Sequence, residues 1–194
     1  MNVPLLNVPI ALERYLKTIE GDILGNRVEH TIPAFCPENA KILILGTIPS
    51  PKSREFGFYY GHPQNRFWRV LADVLNQAVP TGNEAKKAFL RDNYIALWDV
   101  LASCDIDGAS DNSIKNPIPN DFSEVLSNGR IKAIYTPGAK ATALYKKLCF
   151  SKNGVPSILL PSTSPANCRL KYEDLKEAYS VILKPLEIGE GKGQ

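Results

Sequence analysis

Four short apolar runs interrupt an otherwise mixed chain: Ile42 to Leu45, Ile95 to Trp98, Ile131 to Tyr135 and Ser157 to Leu160. None shows a clean polar alternation, which predicts strands buried on both faces. Helical spacing separates them. Phe67, Val70, Leu71, Val74 and Leu75 recur at three- and four-residue steps, and so do Ala141, Leu144, Tyr145 and Leu148. Glu84 to Arg91 and Tyr172 to Leu183 read as further helices, the latter ending before Pro185. Strands alternating with helices predict an α/β fold, with a parallel sheet covered on both faces. The pattern has no internal repeat and no linker that would split the chain.

In an open parallel sheet, ligands lie beyond the carboxyl ends of the strands. The segments expected there are Gly46 to Ser50, Asp99 to Asp105, Thr136 to Gly138 and Pro161 to Asn167. They are rich in Gly, Pro, Ser, Thr and Asn, and together predict one shared cleft. The first reads as a long loop from Gly46 to Asn65, holding Phe56-Gly57-Phe58-Tyr59-Tyr60-Gly61-His62-Pro63-Gln64-Asn65. Its aromatic content argues against disorder. A ring there offers a face for stacking a planar base, or a plug that fastens the loop to the core. The hydroxyls and amide of Ser162 to Asn167 suit phosphate oxygens, or an ordinary turn that opens a helix.

Composition narrows the class. The chain has 194 residues, 44% of them hydrophobic and 22% charged, which is ordinary for a globular domain. No apolar run approaches the ~18 residues that cross a bilayer. No Lys or Arg precedes the apolar residues of Met1 to Ile10, so that segment does not read as a secretory signal. The expected setting is cytoplasmic, and the expected state is a monomer with no membrane partner. Cys36, Cys104, Cys149 and Cys168 lack the close pairs of zinc sites, so they are expected as free thiols, without metal or cofactor.

The net charge of +3 hides an uneven distribution. Residues 1–40 hold three basic and five acidic side chains, whereas residues 41–70 hold five basic against Glu55 alone. Residues 130–152 hold six basic side chains and no acidic one. Such blocks attract phosphate, or simply form a solvated face.

Two strings then carry a resemblance. Ile44-Leu45-Gly46-Thr47-Ile48-Pro49-Ser50 followed by Phe58-Tyr59-Tyr60-Gly61-His62-Pro63-Gln64-Asn65-Arg66-Phe67-Trp68 resembles motif 1 of the uracil-DNA glycosylase superfamily. Leu160-Pro161-Ser162-Thr163-Ser164-Pro165-Ala166-Asn167 resembles its motif 2. Both are most similar to the hypoxanthine (deoxyinosine) DNA glycosylase branch, as are Ala96 to Leu101 and the loop from Ser110 to Asp121. The resemblance covers roughly His30 to Leu183.

It implies a three-layer α/β/α sandwich with a central four-stranded parallel sheet. The expected glycosylase domain spans 30–185. An extension at 1–29, helical or partly ordered, precedes it, and a flexible tail at 186–194 follows.

The resemblance further implies a monofunctional enzyme that flips a deaminated base, chiefly hypoxanthine, out of double- or single-stranded DNA and hydrolyses its N-glycosidic bond. Many members carry Asn or Asp two residues after the motif 1 Gly. Ile48 stands there and cannot polarise water. In the hypoxanthine branch the role belongs to the Asn of His-Pro-Gln-Asn, which is Asn65. An amide is no base near neutral pH, but its oxygen can orient a water. Asn65 is equally a candidate N-cap for a helix starting at Arg66, a role that competes for the same oxygen. Thr47, Ile48, Pro49 and Ser50 form the candidate base-binding turn, and its backbone N–H groups, which Pro49 lacks, are candidate donors to the departing base. Tyr59 and Tyr60 are candidate base-stacking residues. Asp99 reads a base edge or anchors a loop. His62, Ser162, Thr163, Ser164 and Asn167 are the expected phosphate contacts, with a packing role open for His62. Rival readings are a uracil-DNA glycosylase, which Ile48 disfavours, a nucleotide- or phosphate-binding module without activity, and a glycosidase of free nucleosides.

Overall fold

The computed structural model describes residues 27–186, apart from 128, 129 and 168. The expected frayed tail and most of the N-terminal extension lie outside the described residues. Within them, four parallel strands form the central sheet: β2 (Ile42–Gly46), β3 (Ile95–Asp99), β6 (Ala133–Pro137) and β7 (Ser157–Leu160), in the order β3-β2-β6-β7. Register is fixed by pairs such as Ile44 with Leu97 and Tyr135, and Pro137 with Leu160.

Strand residues point alternately to the two faces, and both faces are apolar. Ile42, Ile44, Ile95, Leu97 and Tyr135 pack with α2 (Phe67–Val74), α3 (Asn83–Asp92) and α7 (Tyr172–Tyr179). Leu43, Leu45, Ala96 and Ile134 pack on the other side with α4 (Ser123–Ser127) and α5 (Ala139–Leu148). This is the expected α/β/α sandwich. The predicted third strand sits two residues late, because Ile131 and Lys132 lead into the sheet before pairing begins.

Several elements depart from expectation. The stretch from Gly46 to Asn65 is not one loop: it contains α1 (Pro51–Phe56). Ser50 caps that helix by accepting from the Ser53 N–H, Pro51 opens it, and Gly57 ends it at φ 66. Asp99 to Asp105 is not a loop either. After one residue the chain enters β4 (Leu101–Asp105), which pairs antiparallel with β1 (Arg27–Glu29) and β5 (Lys115–Pro119) in a second, three-stranded sheet. Residues 27–29 of the expected extension are thus a strand.

The chain continues as α6 (Phe150–Asn153) after α5. β7 is buried only at Leu160, while Ile158 and Leu159 are exposed, because β7 is an edge of the sheet. The opposite edge, β3, is covered by a bridge between Phe35 and Leu97. The last helical stretch does not stop before Pro185. A 3₁₀ turn at Ser180–Ile182 leads into α8 (Leu183–Leu186), whose first turn tolerates a proline. No helix among the described residues is long and apolar enough to cross a membrane.

Candidate functional site

The carboxyl ends of β2, β3, β6 and β7 open into one pocket, a cavity of about 160 Å³. That is well below the roughly 300–1,000 Å³ of sites for drug-sized ligands, and it suits a single small planar group. Thr47, Ile48, Pro49, Ser50, Tyr59, Tyr60, Asn65, Asp99, Ser162, Thr163 and Ser164 all border it. Every residue expected to touch the base is therefore at one place.

The motif 1 turn is pinned from below. The carbonyls of Gly46 and Thr47 accept from the N–H groups of Val100 and Leu101, at 2.9 and 3.0 Å. At the β2–β3 junction, Gly46 pairs with Asp99. A Cβ at residue 46 would lie 2.1 Å from Asp99 Oδ1, so only glycine leaves this carboxylate its room. Asp99 is buried, and its Oδ2 accepts from His30 Nε2 at 2.8 Å.

Tyr59 and Tyr60 divide their work. Tyr59 is 2% exposed, and its hydroxyl donates to the carbonyls of Ile32 and Pro33. Tyr60 takes a left-handed backbone, φ 52, which a tyrosine rarely adopts. Its ring stacks on Phe67 with centroids 3.7 Å apart, so one face is already covered. Its hydroxyl is buried without a hydrogen-bond partner among the described residues. Burial holds both phenols well above their ordinary range, with the Asp99 charge adding to it, so both remain protonated donors.

Asn65 Oδ1 accepts from the Phe67 N–H at 3.0 Å, at the start of α2. The helix starts one position later than expected, with Arg66 at its N-cap, so Asn65 is not the cap itself but bonds the first helical N–H from the position before it. The contact does not exclude a water, because an amide oxygen has two lone pairs. That bond instead fixes the side chain's orientation at the pocket wall.

His62 and Asn167 stand outside the pocket. His62 borders a neighbouring cleft with Arg66, Arg69 and Lys86, and its Nδ1 accepts from the Gln64 N–H at 3.2 Å. Asn167 belongs to a second cleft with Asn112 and Arg169, and its amide donates to the Ser162 carbonyl at 2.8 Å. Thr163 is 1% exposed, whereas Ser162 and Ser164 are half-buried. The Ser162 hydroxyl accepts from the Ser164 N–H at 3.3 Å.

Three residues that build this site escaped the sequence reading. His30 lay in an extended stretch with no motif. Asp111 enters the pocket from a 3₁₀ turn and accepts from the Thr47 hydroxyl at 3.1 Å. Burial pushes its carboxyl up, against the lowering effect of Thr47 and Lys140. Arg66 ties the two motif loops together. Its guanidinium donates to the carbonyls of Leu170 and Asn167, at 3.0 and 2.7 Å, and its N–H to that of Thr163.

The basic block at 130–152 does not flank the pocket as a whole. Lys140 sits in the first turn of α5 near Asp111, but Lys146 and Lys147 lie in its last turn, about 10 Å further along the helix axis. Lys152 pairs with Asp121 at 3.1 Å.

Comparison with known proteins gives one consistent picture. Residues 33–184 match the model of the uracil DNA glycosylase superfamily. A hypoxanthine DNA glycosylase of Methanosarcina acetivorans is 35% identical over 144 residues, covering 73% of this chain and 90% of that protein. One from Methanosarcina barkeri is 34% identical over 133 residues, covering 63% of this chain and 84% of that one. A solution NMR structure from M. acetivorans, named as a candidate uracil DNA glycosylase, superposes with a TM-score of 0.71 at 31% identity, over 82% of this chain and 99% of the other. The chain belongs to the uracil DNA glycosylase superfamily.

Proposed function

We propose that this member of the superfamily, a DNA glycosylase, excises hypoxanthine from deaminated DNA, with Asn65 as its catalytic residue. The observation that carries the reading is Asn65 itself. It borders the pocket with its oxygen oriented by the Phe67 N–H, while the usual motif 1 position holds the inert Ile48. Both curated relatives, named hypoxanthine DNA glycosylases, support the choice of base.

In this reading the flipped nucleotide enters the pocket and water adds to C1′. The C1′–N9 bond breaks, its electron pair leaves with the purine, and the proton lost by the added water ends on that base through solvent. Positive charge develops on the sugar and negative charge on the base, as in glycoside hydrolysis. Asn65 Oδ1 uses its second lone pair to hold the water in line. Donors of the 47–50 turn and the Tyr60 hydroxyl stabilise the departing base. Ser162 and Ser164 hold the strand's phosphates.

The test uses identical duplexes with one deoxyinosine, one deoxyuridine or neither, assayed for abasic sites without added metal. Deoxyinosine is expected to be cleaved fastest. Faster deoxyuridine cleavage would move the enzyme to another branch, and cleavage of neither would end the glycosylase reading. Asn65→Ala is expected to slow single-turnover excision by about 100-fold or more while duplex binding changes little. A variant that merely unfolds earlier, with excision intact at low temperature, would leave Asn65 as a support for the helix start alone.

A further inference from the structure

His30 stands N-terminal to the residues that the family's model matches, yet from behind the pocket wall it bonds Asp99, which lines the pocket. The β1–β4 pairing delivers it: the ladder runs Arg27 to Asp105, Val28 to Cys104 and Glu29 to Ser103, and the His30 N–H then donates to the Ala102 carbonyl at 2.8 Å. Its side chain is 3% exposed and rests edge-on against Trp98. Its Nε2 meets Asp99 Oδ2 at 2.8 Å, so that oxygen is committed. Asp99 Oδ1 remains, beside the Tyr60 hydroxyl. Both oxygens lie within 3.5 Å of the point that a Cβ on residue 46 would occupy, and neither bonds the other.

We propose that His30 is a positioning residue that locks Asp99 as an acceptor next to the Tyr60 donor, so that the two oxygens read the N–H/C=O edge that deamination creates.

The chemistry is specific to deamination. Adenine presents a bare ring nitrogen and an amino group. Hydrolytic deamination turns that edge into a lactam, with N1–H as donor and O6 as acceptor. Cytosine becomes uracil by the same inversion. A fixed acceptor beside a fixed donor matches the lactam, with Asp99 facing the ring N–H and Tyr60 facing the carbonyl. Against adenine, the carboxylate meets a lone pair. Buried polar groups left unpaired are expensive, so the wrong edge is rejected strongly. Burial keeps the Tyr60 phenol protonated, as the donor role needs.

This inference rests on the proposed excision of deaminated bases, and one experiment separates their failures. Single-turnover excision is measured for deoxyinosine, deoxyuridine and deoxynebularine in the same duplex. Nebularine's purine lacks both N1–H and O6. The wild type is expected to prefer deoxyinosine over deoxynebularine by about tenfold or more, since the bonds to Asp99 and to Tyr60 are both lost. Tyr60→Phe and His30→Ala are each expected to narrow that ratio by about fivefold or more. His30→Gln, whose amide still donates, is expected to restore it. Tyr60→Phe removes one oxygen that has no internal partner, so it tests the pair even if His30→Ala fails to fold. Deoxyinosine excision with an unchanged ratio in the folded variants overturns this inference alone. No excision of either lactam base by the wild type overturns it together with the proposed function.

Discussion

At the scale of single residues, the pocket holds two carboxylates in different hands. Asp99 accepts from His30, whereas Asp111 has only a hydroxyl and a lysine at a distance to offset its burial. Burial raises the Asp111 carboxyl above its ordinary value, so the folded chain keeps that proton to higher pH than the unfolded chain does. The unfolded state therefore ionises first as pH rises, and stability falls between the ordinary carboxylate range and the raised value. Asp111→Asn keeps an acceptor for Thr47 and removes this loss. Its unfolding midpoint is expected to exceed that of the wild type at pH 7, with the gap closing below about pH 4. A gap that is equal or larger in acid would contradict the assignment. Asp111 and His30 were not legible in the sequence for one reason. Each acts through a tertiary partner, Thr47 or Asp99, from which it is separated by more than sixty residues. Asn65, Tyr60 and Ser162 were legible as cleft residues because loops placed after strand ends carry their own polar and aromatic signature, while their expected roles came from the family resemblance.

At the scale of elements, the buried strands were readable from apolar runs, since β2 and β3 are covered on both faces. β4 and β5 were not. Their strands mix polar with apolar residues, and β5 contains Pro117 and Pro119, so neither runs as an apolar block. α1 was missed although Ser50-Pro51 is a good helix start, because glycines and aromatics beyond it read as loop. The same scale shows how the two motif loops hold each other. Arg66 opens α2 and fills the carbonyls of Asn167 and Leu170 with two guanidinium nitrogens. A lysine is one point charge and cannot span both. Arg66→Lys is expected to cost about 2 kcal/mol in urea unfolding, and to raise the duplex Kd by loosening the Ser162 to Asn167 loop. Unfolding and binding that both match the wild type would show the loops to be held independently.

At the scale of the whole molecule, the net charge of +3 is too small for tight, sequence-blind DNA binding, so the placement of the cations decides. Lys52 and Arg54 ride on α1 above the pocket, Lys140 begins α5 at its rim, and Arg169 lines the adjoining cleft. Lys146 and Lys147 face solvent in the last turn of α5, away from the pocket, and a strand threaded over the pocket is not expected to engage them. Three to four phosphates neutralised at the pocket end predict a slope of about −3 for log K against log salt. Lys140→Ala and Arg169→Ala are each expected to flatten that slope by about 0.9, the share of one phosphate, and to weaken binding of damaged and undamaged duplexes alike. The double variant Lys146→Ala, Lys147→Ala removes as much charge as the other two together, so the same net charge separates placement from total. Its slope is expected to equal that of the wild type. If it flattens as much as Lys140→Ala with Arg169→Ala does, the DNA is being held by overall charge, and the path over the pocket is wrong.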